Sequence, residues 1–189
     1  FASIDIGTSY TRVLMGRMGD DGVIQINGAG VSPSQGVRNG GVVNIEQTVQ
    51  SIQTAAREAE LMSGLVVEEA VVNITGKHLK GENSRGVVAV TNRDRVVTES
   101  DVLRVIEGAQ NIRIPADQEI LHVLSREFVV DDQSGIRDPI GMTGVRLESE
   151  VHIVTAGKTA LTNLRKAVNA AGIRVTNLVM SSLASSEAV

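Results

Sequence analysis

Two apolar runs at the start of the chain, joined by a very short polar turn, restrict its folding more than any other stretch. Phe1, Ile4 and Ile6 lead into Gly7-Thr8-Ser9, and Val13-Leu14-Met15 follow directly. This spacing predicts a strand, a tight turn and a second strand. Gly7 lets another backbone approach without a Cβ in the way. Successive backbone N–H groups in such a turn form a concavity suited to an anion. The hydroxyls of Thr8 and Ser9 add donors, and Asp5, just before the turn, can hold a hydrated Mg2+. The same turn also suits a purely structural hairpin. As a phosphate grip, it would differ from the strand–loop–helix of Walker-type sites.

Composition narrows the class. The chain has 189 residues, of which 42% are hydrophobic and 21% charged, enough apolar material for a core and too little charge for broad disorder. A net charge of −4 argues against nucleic acid as a partner. With no Trp, one Tyr and two Phe, an aromatic platform for bases or sugars is not expected. The lack of cysteine excludes disulfides and thiolate metal sites and fits the cytoplasm. No apolar run approaches the ~20 residues of a membrane span. The sequence opens inside a strand pattern and stops at Ser185–Val189 inside an opening helix, so it reads as a fragment.

Taken in order, the pattern predicts strands over 13–18 and 23–31, the latter with Val23, Gln25 and Asn27 alternating against Ile24 and Ile26. A long glycine-rich loop follows, containing Pro33-Ser-Gln-Gly36 and Arg38-Asn-Gly-Gly41. Asn44 is the expected cap of a helix whose buried face is Ile45, Val49, Ile52, Ala56, Ala59 and Met62, with Gln47 at the capping-box position and Gly64 as its stop. A strand over 66–75 is expected to be buried on both faces. From about Gly76 to Thr155 the pattern changes to a short strand over 87–90, a helix capped by Thr98 with Asp101 at its third position, a strand over 120–130, two turns and a strand over 145–155. On that last strand Val145, Leu147, Ser149, Val151 and Ile153 should be dry, and Arg146, Glu148, Glu150 and His152 wet. The first pattern then returns, with a helix through Leu161, Leu164, Val168 and Ala171 ended by Gly172, a strand over 175–180, and a helix capped by Ser181 or Ser182. The residues alone imply an α/β domain with a mixed sheet and a small inserted α+β unit.

Asp5-Ile-Gly-Thr-Ser9 resembles the first phosphate motif of actin-like ATPases, and Arg12 stands where actin has a lysine. Further segments resemble one branch of that superfamily, the FtsA division proteins. They include Pro33-Ser-Gln-Gly36, Gly76-Lys-His78, Glu119-Ile-Leu-His-Val123, Glu150-Val-His-Ile-Val154 and Leu183-Ala-Ser-Ser186. The most specific is Asp138-Pro-Ile-Gly-Met-Thr-Gly-Val-Arg146. The resemblance implies an incomplete α/β actin-like (ribonuclease H-like) core carrying a small strand-helix-strand-strand subdomain. Its expected divisions are 1–76 as the first part of subdomain 1A, 77–155 as inserted subdomain 1C, and 156–189 as the return into 1A.

The family's activity, carried over as an expectation, is that of an ATP- and Mg-binding adaptor that polymerises. Any hydrolysis would be slow. Such a protein tethers FtsZ to the inner face of the cytoplasmic membrane at the division site, and contacts later divisome proteins through the 1C region. The FtsZ-binding region and the C-terminal membrane helix of that family are not expected within these residues. The implied nucleotide residues are Asp5, Gly7, Thr8, Ser9, Tyr10 and Arg12, with Asp5 meeting Mg through water. Arg12 has two readings, a phosphate contact or a side chain on the strand's solvent face. Rival functions are a pilus-assembly adaptor of the PilM type and a small-molecule kinase of the same superfold. His78, His122 and His152 lack metal-ligand spacing and read as structural. Glu148 and Glu150 read as a solvated face that a partner could also use. Asn92-Arg-Asp-Arg95 reads as a solubilising charged turn.

Overall fold

A computed structural model describes residues 1–188. The chain divides into two compact units, one made of Phe1–Leu79 with the segment from Ala156 onward, the other of Lys80–Thr155.

In the first unit, β1 (Ala2–Ile6), β2 (Tyr10–Met18) and β3 (Ile24–Pro33) form an antiparallel meander. β6 (Glu69–Ile74) runs parallel to β1, and β11 (Arg174–Met180) parallel to β6, giving the order β11-β6-β1-β2-β3. Helices α1 (Ile45–Ser63) and α3 (Lys158–Ala170) pack together and bury Ile4, Ile6, Val13, Val72 and Ile74 beneath them. The glycine-rich stretch is more ordered than its composition suggests. It holds a two-stranded hairpin, β4 (Val37–Arg38) and β5 (Gly41–Val42), joined by Asn39-Gly40 with both residues at positive φ. That is the turn whose twist matches a hairpin's strands.

α1 begins as its sequence predicts. Asn44 Oδ1 accepts from the Gln47 amide at 3.0 Å, and Gly64 ends the helix in the left-handed region, its N–H bonding the Glu60 carbonyl. Its buried face differs from the expected one. Thr48, Ser51, Ile52, Ala55, Ala56 and Ala59 are buried, whereas Ile45 and Met62 are exposed. The cause lies on β3, whose inward positions are Gly28, Gly30 and Ser32 and whose Ile24 and Ile26 face solvent. A Cβ at Gly30 would overlap the Ala55 carbonyl oxygen, so α1 rests directly on the strand backbone. Small helix residues suit that close seat better than large ones. β6 is not buried on both faces, since Ala70, Val72 and Ile74 point inward while Val71 remains 37% exposed. Among the described residues, the short helix α4 (Ser181–Glu187) flanks the outer face.

The second unit is a sheet of order β7-β10-β8-β9, formed by β7 (Leu79–Ala89), β8 (Gln118–Val130), β9 (Gln133–Ile136) and β10 (Arg146–Gly157), with helix α2 (Glu99–Ala109). Its first strand is longer than the four residues expected, and the Asp131–Gly135 turn leads into a further strand, β9. Val90, Val97, Val105, Phe128, Val130, Ile136 and Leu147 form its main core. α2 repeats the seat of α1, because a Cβ at Gly86 would overlap the Val105 carbonyl oxygen. In the first unit, the Gly157 amide donates to the His78 carbonyl at 3.0 Å, tying together the two points where the chain leaves and re-enters.

Candidate phosphate-binding site

Asp5 lies near the end of β1, directly opposite Arg12 on β2. Opposed residues on one face of a ladder are close enough to interact, and Arg12 Nη1 donates to Asp5 Oδ2 at 3.1 Å. The guanidinium also lies 5.4 Å from the centroid of the Tyr10 ring. Arg12 is therefore solvent-facing and still engaged with the acidic residue of the site. The two side chains remain 49% and 41% exposed. Such a pair contributes about 0–1 kcal/mol to stability, so it leaves the carboxylate accessible without serving as a major strut.

The turn itself is closed by the Gly7 amide donating to the Tyr10 carbonyl at 3.0 Å. A Cβ on Gly7 would come within 3.0 Å of that same oxygen, which is why glycine suits the position. Because the Gly7 N–H is engaged, the donors left for an anion are the amides and hydroxyls of Thr8 and Ser9. Thr8 and Ser9 are exposed. Thr8 Oγ1 accepts from the Gly40 amide at 3.1 Å, so the β4–β5 hairpin tip touches the turn while the Thr8 hydroxyl hydrogen stays free to donate. The Ser9 carbonyl accepts from Ser34 at 2.9 Å.

Asn73, which bonds Asp5, and Ser181, which bonds Asn73, were not among the sequence-derived site candidates. Asn73, near the end of β6, donates through Nδ2 to Asp5 Oδ1 at 2.5 Å and to Ser181 Oγ at 3.0 Å. Its Oδ1 accepts from the Ile6 amide at 3.0 Å. Ser181 was expected only as a helix cap; its hydroxyl donates to the Ile74 carbonyl at 3.1 Å, and Met180 occupies the cap position. An asparagine interrupting the apolar run of β6 was the signal that could have pointed to this cluster.

The other candidate residues have mainly structural surroundings. Glu148 is not on a wet face; its side chain is 6% exposed and bridges Arg85 and Arg146. β10 lies between β7 and β8, so Glu148 meets Arg85 on the neighbouring strand instead of water. Glu150 is half-buried and lies near Arg126. Asn92 and Arg95 bond within their own loop, to Val96 and to the Val90 carbonyl. His152 Nδ1 faces Asn83 Oδ1 at 2.6 Å. Burial holds the imidazoles of His78 and His122 below the usual histidine range.

Residues 76–155 match the family model described as the SHS2 domain inserted in FtsA. Over 98% of its length the chain is 46% identical to the cell division protein FtsA of Pseudomonas aeruginosa, covering 44% of that protein. It is 40% identical to FtsA of Bacillus subtilis over its whole length, covering 42% of that relative, and 35% identical to the Escherichia coli protein, covering 44%. The chain thus spans less than half the length of these curated relatives. Among solved structures, a chain of the PilM-PilN type IV pilus biogenesis complex matches 97% of this chain and 48% of its own length, with a TM-score of 0.63 at 14% identity. That likeness concerns the fold alone, an actin-like α/β core that is incomplete here and carries an SHS2 domain. Sequence similarity goes further than the fold: over nearly its whole length the chain resembles the corresponding part of the FtsA proteins, at 35–46% identity, and its residues 76–155 match the SHS2 domain inserted in them.

Proposed function

We propose that this chain is the phosphate-gripping portion of a bacterial cell-division protein that binds Mg-ATP and works as a polymerising adaptor. The observation that carries the reading is the convergence of Asp5, Arg12, Asn73 and Ser181 beside the exposed Gly7–Tyr10 turn. In this reading Phe1–Leu79 and the segment from Ala156 form part of subdomain 1A, and Lys80–Thr155 form subdomain 1C.

The residues fit both groups. Asp5 uses one lone pair of each oxygen on Arg12 and Asn73. A carboxylate has about four acceptor sites, so two remain for waters of a hydrated cation. A Cβ at Gly7 would lie 3.0 Å from the Tyr10 carbonyl oxygen, a tight contact inside the turn itself. Mg2+, when bound, would neutralise phosphate charge. The amides and hydroxyls of Thr8 and Ser9 would bind phosphate oxygens, Asp5 would hold the metal's waters, and Arg12 would orient Asp5. A nucleotide site normally encloses most of its ligand, and an open hairpin offers one wall, so tight binding needs the rest of the family's cleft.

As an adaptor, the intact protein would tether FtsZ filaments, associate with itself, contact later division proteins through Lys80–Thr155, and work at the inner face of the cell membrane. Among the described residues no helix is long and apolar enough to cross a membrane. The pilus-adaptor alternative has a shared fold behind it and no comparable sequence identity.

The test is Mg-ATP binding and turnover by the intact gene product, wild type beside Asp5→Ala. Binding weakened at least about tenfold by the substitution, with slow turnover, is the expected result. Equal binding by both proteins would overturn the site assignment, and rapid phosphate transfer to a sugar would identify a kinase instead.

A further inference from the structure

Asn73 has a role that its position on a core strand does not require. The β1–β6 ladder pairs Ser3 with Val71 and Ile4 with Val72. Beyond that point the Asn73 side chain takes the place of the partner backbone, satisfying the Ile6 amide just before the phosphate turn. A residue needed only to close the ladder would spend its bonds on backbone. Asn73 directs both amide hydrogens to side chains instead, one to Asp5 and one to Ser181. Its orientation is fixed, because a flipped amide would set its oxygen against the Asp5 carboxylate and its NH2 against the Ile6 N–H.

We propose that Asn73 is the positioning residue of this site. It holds Asp5 in one rotamer, with Oδ1 on Asn73 and Oδ2 on Arg12, so that the remaining lone pairs keep a constant direction toward a hydrated divalent cation. Ser181, anchored on the Ile74 carbonyl, steadies the amide. The inference rests on the Mg-nucleotide reading above and adds to it the residue that sets its metal requirement. Partners that orient a metal-holding group but do not touch the metal typically change metal affinity about 10–100-fold when lost.

The experiment uses the intact gene product and a fluorescent ATP analogue, with binding titrated against Mg2+ and repeated in EDTA. Asn73→Leu has nearly the same size and removes all three bonds. Asn73→Thr is a good strand former that keeps one hydroxyl, which cannot serve Ile6, Asp5 and Ser181 together. Both variants should raise the Mg2+ concentration for half-saturation, by about tenfold or more for leucine and by about two- to tenfold for threonine, the equivalent of one hydrogen bond. Metal-free nucleotide affinity should stay within about twofold, well inside the loss of a single hydrogen bond. A merely structural role would shift both affinities together, or the melting temperature alone, and either result overturns the proposal. Asp5→Asn separates the two levels of inference. If it weakens Mg-dependent binding while both Asn73 variants behave as wild type, the positioning role is wrong and the nucleotide reading stands. If wild type shows no Mg-dependent binding, the nucleotide reading fails and the positioning role fails with it; if wild type binds and Asp5→Asn changes nothing, the assignment of this site fails and the positioning role fails with it.

Discussion

Each unit pairs a carboxylate with arginine, and the two pairings differ in depth. In the first, Asp5 and Arg12 meet across a ladder with both side chains nearly half exposed. In the second, Glu148 is enclosed in the sheet and bridges Arg85 and Arg146, while Arg146 also reaches Asp132 at 3.5 Å. Water screens the first pair, so little stability depends on it and the carboxylate can take another partner. Glu148 has lost most of its hydration and depends on its arginines to offset that loss. The same chemical pair therefore acts as a candidate ligand group in one unit and as a strut in the other, and depth in the sheet decides which. In seating a helix on a strand glycine, the two units agree.

The shared feature should give the largest effects. Gly30→Val and Gly86→Val each force a side chain into a helix carbonyl, and each should cost about 3 kcal/mol or more. Urea unfolding with domain-resolved probes should show each loss in its own unit; a wild-type midpoint in either would mean that the helix is not seated so closely. The contrast in depth comes next. Glu148→Ala should cost about 2 kcal/mol, below the 3–5 typical of a broken buried pair because both arginines can rehydrate, while Arg12→Ala, which removes only the exposed pair, should cost at most about 1. Equal losses in chemical denaturation would erase the distinction. Asn44→Ala should cost about 1 kcal/mol through the lost cap of α1, visible as a lowered melting temperature.

The smallest effect concerns pH. The Thr98 hydroxyl holds the Asp101 carboxyl below the usual aspartate range; burial opposes this, and the Thr98 amide and Arg104 guanidinium reinforce it. A carboxyl with a depressed folded pKa adds stability that is present above its unfolded value, about 3.9, and lost as pH falls through the folded one. Asp101→Asn should be less stable than wild type near neutral pH and converge on it in acid. A constant gap across an acid titration would rule out ionisation as the source.

What was legible in the sequence was what local signals encode. Asn44 and Gly64 bracket α1, Thr98 and Asp101 open α2, and Gly7-Thr8-Ser9 marks the turn of the candidate site. The buried face of α1 was not legible because it answers to Gly28 and Gly30 on a different element. Glu148 was read as wet because alternation along one strand carries no information about Arg85 on its neighbour. Asn73 reaches Asp5, and Ser181 reaches Asn73, from distant parts of the chain, so no window of sequence contains the cluster. The β4–β5 hairpin was hidden in a glycine-rich composition that suits loops equally well, although Asn39-Gly40 is its characteristic turn.

The bond between the His78 carbonyl and the Gly157 amide has a topological consequence. To the first unit, everything between those residues is one closed loop whose ends are already fastened. The entropy of closing a loop rises only with the logarithm of its length, about 0.6 kcal/mol per doubling. Extending or shortening the insert thus changes the folding cost of its host very little. A join of this kind lets the inserted unit diverge, be exchanged or be lost in evolution while the sheet that presents Asp5 keeps its own folding equilibrium.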